Sequence, residues 1–401
     1  MSQHKRRANG EGTIYQRKDG RWEGAAYVLT MSGVHKRVRV YGRTREEARR
    51  KLTALLRQAD QGVPVVNESW TVERYLTYWL AEVVKVERRP KTYQGYEGVI
   101  RLHLIPALGK KRLARLGVRD VRLFLNRIAE ECQCCKHKWD RERRKCCAIR
   151  NCCRTRLSVR MVQSIHAVLR NALQNAVREE IVLRNVAKLV QVTTPKYKVN
   201  RGLSVEQVRK LLMAARADRL HALYVLALYL GLRRAELLGL RWSDINLGAA
   251  TLEVNQTLQR VNGALRFLPP KTENSKRTIP LPRVCVDALR EHREQQVKER
   301  FAAGSAWREE GLVFTTRVGT PIEPDNLRRS WYPLRETLDM SVRFHDLRHT
   351  CVTLLLDLGV PPHIVREIVG HSDIGVTMTI YAHASLDERR RALQRLDDHL
   401  K

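Results

Sequence analysis

Three short stretches of this chain carry side chains whose types and spacing suit chemistry on an anion. In Gly231-Leu232-Arg233-Arg234-Ala235-Glu236, an arginine and a glutamate stand three residues apart. On a helical segment that spacing puts Glu236 on the face of Arg233, where its carboxylate can aim the guanidinium. A surface pair of little consequence has the same spacing. In Arg343-Phe344-His345-Asp346-Leu347-Arg348-His349, His345 and Arg348 share a helical face and together offer several donors to one oxyanion. The apolar residues that follow, Val352, Leu354, Leu355, Leu356 and Leu358, predict a helix buried on most sides. A satisfied structural histidine beside a snorkelling arginine is the plainer reading of that pair. In Val369-Gly370-His371-Ser372, Gly370 ends a helix opened by Pro361 and Pro362 and sets His371 in a tight turn. Tyr381 follows ten residues later, in Ile380-Tyr381-Ala382-His383. A phenol is a weak nucleophile at its ordinary pKa of about 10, but neighbouring cations favour the phenolate. A tyrosine in such a segment otherwise serves as packing.

These groups point to one target, a phosphodiester. Phosphoryl transfer gathers negative charge on the nonbridging oxygens, and stabilising that charge is most of the catalytic work. Metal-dependent nucleases do it with two cations held by clustered carboxylates. The sequence has no Asp/Glu cluster of that kind, so fixed arginines and histidines take the place of a catalytic metal. The charge balance agrees: 75 Lys+Arg stand against 42 Asp+Glu, a formal +33 over 401 residues. A globule so charged repels itself and attracts polyanions, nucleic acid first and an anionic membrane surface second. A hydrophobic share of 43% excludes wholesale disorder. No apolar run approaches the roughly 18–20 residues that span a bilayer. The basic N-terminus is not followed by the apolar stretch of a signal peptide. The expectation is a soluble, cytoplasmic, DNA-associated protein without membrane contact, its nine cysteines mostly reduced.

The elements that must position these residues fall into three predicted domains, against a length prior of two or three. Residues 1–65 read as a small module of three strands and a helix. Thr13-Ile14-Tyr15, the Asp19-Gly20 turn and Arg21 to Val28 form a hairpin, and Lys36 to Tyr41 alternates basic with apolar as a third strand. That strand points Arg37 and Arg39 outward, as a DNA-reading face or as a merely solvated one. Thr44 caps the helix that follows, with Glu46 and Glu47 in its first turn. Residues 68–195 read as helical: one helix from Ser69 or Thr71, one opened by Pro90 and broken at Ile105-Pro106, one over 118–131 and one over 158–180. A polar, basic linker over 193–203 leads to the third domain, 203–401.

That domain opens with a capping box, Ser204-Val205-Glu206-Gln207, ahead of an apolar face of Val205, Val208, Leu211, Leu212 and Ala215. Leu252 to Gln259 and Leu265 to Leu268 read as strands around the Asn262-Gly263 turn, with a further strand at Arg277 to Leu281. The predicted fold class is multidomain α+β, with a mainly α third domain built around a small antiparallel sheet.

An insertion over 132–153 interrupts the helical domain. It holds Cys132, Cys134, Cys135, Cys146, Cys147, Cys152, Cys153 and His137, with Lys136, Lys138, Arg141, Arg143, Arg144, Lys145 and Arg150 among them. Clustered thiols in a reducing compartment point to structural zinc more than to disulfides. A redox-sensitive loop and a disordered basic loop are the alternatives, and the spacing does not choose four ligands from eight candidates. Phosphate contact by the basic side chains is expected in each case. Cys285 and Cys351 are isolated and read as packing residues.

In order and spacing, the catalytic-type residues resemble those of the tyrosine recombinase, or phage-type integrase, family. The resemblance covers nearly the whole chain and is most specific from about Leu203 to Ala384. The family's Gly-Leu-Arg-x-x-Glu pattern matches Gly231 to Glu236 and selects Arg233 over Arg234. Its hairpin lysine matches Lys271 in Pro269-Pro270-Lys271-Thr272. Its His-x-x-Arg motif matches His345 to Arg348, its Leu-Gly-His-Ser-like motif Val369 to Ser372, and its nucleophile Tyr381. Residues 1–65 resemble an arm-type DNA-binding module and 68–195 a helical core-binding domain.

The resemblance implies attack by Tyr381 on DNA to give a 3′-phosphotyrosyl link, with Lys271 as general acid. Arg233, Arg348 and His371 would hold the nonbridging oxygens, and His345 would act as acid/base or donor. It implies no catalytic cofactor, a homotetramer on double-stranded attachment-site DNA, and an excision factor as a candidate partner. The amphipathic segment from Leu386 to Leu400 would pack on a neighbouring protomer or fold back on its own. A type IB topoisomerase-like relaxing enzyme and a non-catalytic DNA-binding regulator are the competing functions.

Overall fold

The computed structural model describes residues 12–29, 35–60, 70–193, 202–270 and 275–371, with single positions at 375, 394 and 398. Lys271, Tyr381 and most of the segment over 386–400 lie outside the described residues. The chain divides into two units, Met1–Lys196 and Tyr197–Lys401.

The first unit opens with an antiparallel sheet of β1 (Thr13–Gln16), β2 (Trp22–Leu29) and β3 (His35–Gly42). The helix Arg45–Asp60 follows, and Thr44 Oγ1 accepts from the Glu47 N–H at 3.2 Å to cap it. Ala26, Val28, Leu52 and Leu55 form a core of their own between sheet and helix. Arg37 and Arg39 are exposed on the other face. Beneath them Glu23, 2% exposed, pairs with Arg17 at 3.5 Å and Arg39 at 3.3 Å.

The helices of the first unit close on a second core that includes Tyr75, Ile100, Leu104, Phe124 and Leu169. Tyr75 donates its hydroxyl to the Ala172 carbonyl at 2.9 Å. Thr71 caps the first helix, Pro90 begins the second, and Ser158 caps the helix Val159–Arg178. Pro106 does not end the second helix as the sequence reading expects. The chain passes through a wider π turn at Ile100–Leu104 and stays helical through Ile105–Leu108. A proline ring clashes with the carbonyl four residues back, and the looser turn makes room for it.

The second unit is built around the helix His221–Tyr229, buried on all sides from Ala222 to Leu228. It packs with Leu237, Leu289, Phe314, Trp331 and Leu347 in one core. The capping box forms as expected: Gln207 N–H to Ser204 Oγ is 3.2 Å and Ser204 N–H to Gln207 Oε1 is 2.9 Å. Of the face assigned to that helix, Leu211 and Ala215 are buried while Val205, in its first turn, is exposed.

The expected strand from Leu252 to Gln259 is two strands in two sheets. β4 (Ile245–Asn246), β5 (Thr251–Glu253) and β8 (Thr278–Pro280) form one sheet; β6 (Thr257–Val261) and β7 (Ala264–Leu268) form a hairpin closed by Asn262-Gly263. Pro280 is tolerated because β8 is an edge strand.

Candidate active site

The second unit brings together four of the six residues assigned to catalysis by sequence. Arg233 stands just ahead of the helix Arg234–Gly239 in extended backbone. Its own N–H donates to Glu236 Oε2 at 3.0 Å, its Nη1 to Glu236 Oε1 at 2.6 Å, and its Nη2 to the Gly370 carbonyl at 2.7 Å. Glu236 is 3% exposed, so this is not a surface pair. Arg234 turns away and donates to the Pro324 carbonyl.

His345 and Arg348 sit at the start of the helix Asp346–Asp357. Arg348, 2% exposed, donates Nη1 to the Gly231 carbonyl at 2.6 Å. Its buried Nη2 finds no partner among the described residues. His349 meets His345 edge-on at 5.0 Å between ring centres. His371 follows Gly370 and is buried, its N–H donating to the Arg366 carbonyl at 3.1 Å.

The carbonyls that hold the two arginines belong to glycines in left-handed backbone, Gly231 at φ +60 and Gly370 at φ +70. A Cβ on Gly231 would meet Val369 Cγ1 at 2.8 Å, and one on Gly370 would meet the Arg277 guanidinium at 2.7 Å. Both turns therefore require glycine, for conformation and for space.

A third guanidinium belongs to the site and was not singled out by the sequence reading. Arg277 lies just ahead of β8, with its side chain 7% exposed. Its Nη2 reaches Glu236 Oε2 at 3.2 Å and its Nε the Ile368 carbonyl at 2.8 Å. The signal was period two: Arg277 shares a strand face with buried Ile279 and Leu281.

Two guanidinium groups thus pair with one carboxylate, and a third, that of Arg348, lies within the field of all three. Burial first, then the Arg233 charge, pulls Arg348 down to about 9, which still leaves it cationic at neutral pH. Burial, then Arg348 and Arg233, pushes His371 down to about 3. Burial, then His349 and Arg348, pushes His345 down to about 4. The site holds neutral imidazoles beside an under-neutralised set of fixed cations, and such a set favours a bound anion.

In the insertion of the first unit, two groups of four thiols have Sγ atoms within 4.8 Å of one another, Cys132/Cys135/Cys147/Cys152 and Cys134/Cys146/Cys147/Cys153. Such groupings could hold a metal. His137 belongs to neither and stacks on Trp139, with ring centres 5.3 Å apart. Cys285 and Cys351 are buried in the second unit. Among the described residues no helix is long and apolar enough to cross a membrane.

Comparison with known proteins places the chain. Residues 201–388 match the phage integrase family and residues 71–129 match the phage integrase N-terminal SAM-like domain. An integrase of Streptomyces ambofaciens is 32% identical over 387 residues, covering 94% of this chain and 93% of the relative. A "Tyrosine recombinase XerC-like" protein of Caldanaerobacter subterraneus subsp. tengcongensis is 30% identical over 378 residues, covering 89% and 90%. In fold, the chain is similar to the Tn1549 transposon integrase in complex with transposon right end DNA, with TM-score 0.64, 21% identity, and 82% and 100% coverage. It is also similar to a lambda integrase tetramer bound to a Holliday junction, with TM-score 0.50, 16% identity, and 94% and 96% coverage. The chain belongs to the phage integrase family and is a tyrosine recombinase, a site-specific DNA strand transferase.

Proposed function

We propose that the chain integrates and excises a phage or other mobile element, through a covalent 3′-phosphotyrosyl intermediate. Tyr381 Oη attacks the scissile phosphorus, the P–O5′ bond breaks, and Lys271 protonates the leaving 5′ oxygen. Arg233, Arg348 and His371 hold the nonbridging oxygens, and His345 assists as acid/base or donor. The 5′-hydroxyl of the partner strand then attacks the phosphotyrosine and releases Tyr381. The covalent link conserves the bond energy, so the chemistry calls for no metal or nucleotide.

One observation carries this reading: Arg233, Arg277 and Arg348 converge around buried Glu236, and the buried Arg348 Nη2 is unspent among the described residues. A phosphodiester supplies the missing anion. In this reading residues 1–65 grip arm-type DNA, 68–195 clasp the core site, and 203–401 do the chemistry. Four protomers act on paired attachment sites in the cytoplasm, with an excision factor setting direction. The tetramer of lambda integrase on a Holliday junction supports that assembly. The insertion over 132–153 serves as a structural metal module apart from the chemistry.

The test is trapping on nicked suicide DNA that bears attachment sequences, read on a denaturing gel. Wild type should form a covalent adduct and Tyr381→Phe should bind without forming one. Site-independent relaxation of supercoiled DNA by the wild type, with no strand exchange, would overturn the reading.

A further inference from the structure

We infer that the cysteine insertion binds two zinc ions in a single cluster, with Cys147 as a bridging thiolate shared by both. The inference deepens the reading of the insertion as a metal module. The two four-thiol groups have one member in common, Cys147, and together they use all seven cysteines of the insertion. Two tetrahedral ions sharing one corner need seven thiolates, neither more nor fewer.

The distances fit. A tetrahedron with Zn–S arms of about 2.3 Å has edges of about 3.8 Å. Within the groups, Cys132 to Cys147 is 3.8 Å, Cys135 to Cys152 is 3.6 Å, Cys134 to Cys146 is 3.8 Å and Cys147 to Cys153 is 3.6 Å. All are far longer than a disulfide's bond of about 2.05 Å. Cys147 alone belongs to both groups, and it touches one thiol of each: Cys132 in the first and Cys153 in the second. Those two lie 3.8 Å apart, so the tetrahedra face each other across the shared corner.

The backbone is set for this without a core. Asp140, 5% exposed, accepts from the N–H groups of Lys145 at 2.8 Å, Cys146 at 2.7 Å and Ala148 at 3.1 Å. That nest fixes the turn presenting Cys146 and Cys147. The Gln133 N–H donates to the Thr155 carbonyl at 2.8 Å and pins the two ends of the insertion together. Trp139 and Ile149, its large apolar side chains, are exposed. A segment with so little apolar burial needs another source of cohesion, and metal binding supplies it.

The charges also close. Two divalent ions displace seven thiol protons, and the resulting cluster carries about three negative charges. The segment's seven lysines and arginines outnumber Asp140 and Glu142, and their positive field favours thiolates over thiols.

The test measures zinc per chain in the full-length protein, by elemental analysis and native mass spectrometry under a fixed chelator challenge. No DNA is present, so the outcome is independent of strand exchange. Wild type should retain two zinc ions, Cys152→Ser one, and Cys147→Ser none. No zinc in wild type overturns the metal module itself. One zinc in wild type overturns only the two-ion cluster. Should Cys147→Ser not fold, cobalt(II) titration of the reduced wild type decides. A shared thiolate couples the two spins, so the magnetic moment per cobalt falls at the second equivalent. An unchanged moment overturns the bridge.

Discussion

Glu23 and Glu236 are buried to a similar degree, and each draws in two arginines. Around Glu23, Arg17 and Arg39 are 41% and 54% exposed and reach the carboxylate at 3.5 and 3.3 Å. Around Glu236, Arg277 is 7% exposed, and both arginines carry a second bond to a main-chain carbonyl, at Gly370 and Ile368. The arginines of the sheet can leave their glutamate for water or for a phosphate. Those of the active site have their guanidinium planes set before any substrate arrives. Each carboxylate is paired directly with two guanidinium groups. What separates the arginines around Glu236 from those around Glu23 is the second anchor on a main-chain carbonyl, which the fold supplies from a distant part of the chain.

The largest effect should come from removing each acid. Glu236→Ala leaves buried Arg277 unpaired and should cost about 3–5 kcal/mol of stability, with loss of the covalent adduct. Glu23→Ala frees arginines that already reach solvent and should cost about 1 kcal/mol or less. Urea midpoints for the two variants measure this, and equal shifts would break the comparison.

Arg277→Lys is the sharper probe. A lysine keeps the charge but cannot serve Glu236 and the Ile368 carbonyl with a fixed fork. Adduct formation should fall by on the order of tenfold to a hundredfold with DNA affinity unchanged. Parallel losses in affinity and adduct would make Arg277 a general DNA contact rather than a positioning residue.

The smallest effect is in pH. His345 and His371 are held down near 4 and 3, so the native site favours neutral rings. The unfolded chain takes up those protons first, once pH drops below about 6.5. Their contribution to stability is therefore present above that pH and lost as pH falls toward 4. Bound phosphate offsets the arginine charge and should raise both pKa values. Calorimetry in buffers of different ionisation heat should then show proton uptake on core-site binding near pH 5. Proton release would contradict the arrangement.

Much of this was legible because the signals were local. The Ser204 capping box, the Thr44 cap and the Asn262-Gly263 turn involve residues within four positions of one another, and each formed. So did the pairing of Arg233 with Glu236, three residues away. Arg277 was hidden because its partner lies 41 residues off and meets it only once β8 pairs with β5. The split of Leu252 to Gln259 into two sheets had the same origin, since partner strands from different places claim its two halves. At Pro106 the local rule was right about the clash, and a π turn absorbed it. Lys271 and Tyr381 remain assignments by motif.

Gly231 and Gly370 bear on how such a gene would decay. In the proposed mechanism Arg233 and Arg348 are kept for what they do to DNA, whereas the two glycines are kept by their backbone angles and by Val369 and Arg277 pressed against them. An element that no longer moves loses selection on the arginines at once, but a copy retained for binding alone still has to fold. Among descendants of this chain, the glycines should therefore outlast the arginines, leaving a record of the site in proteins that have given up its chemistry.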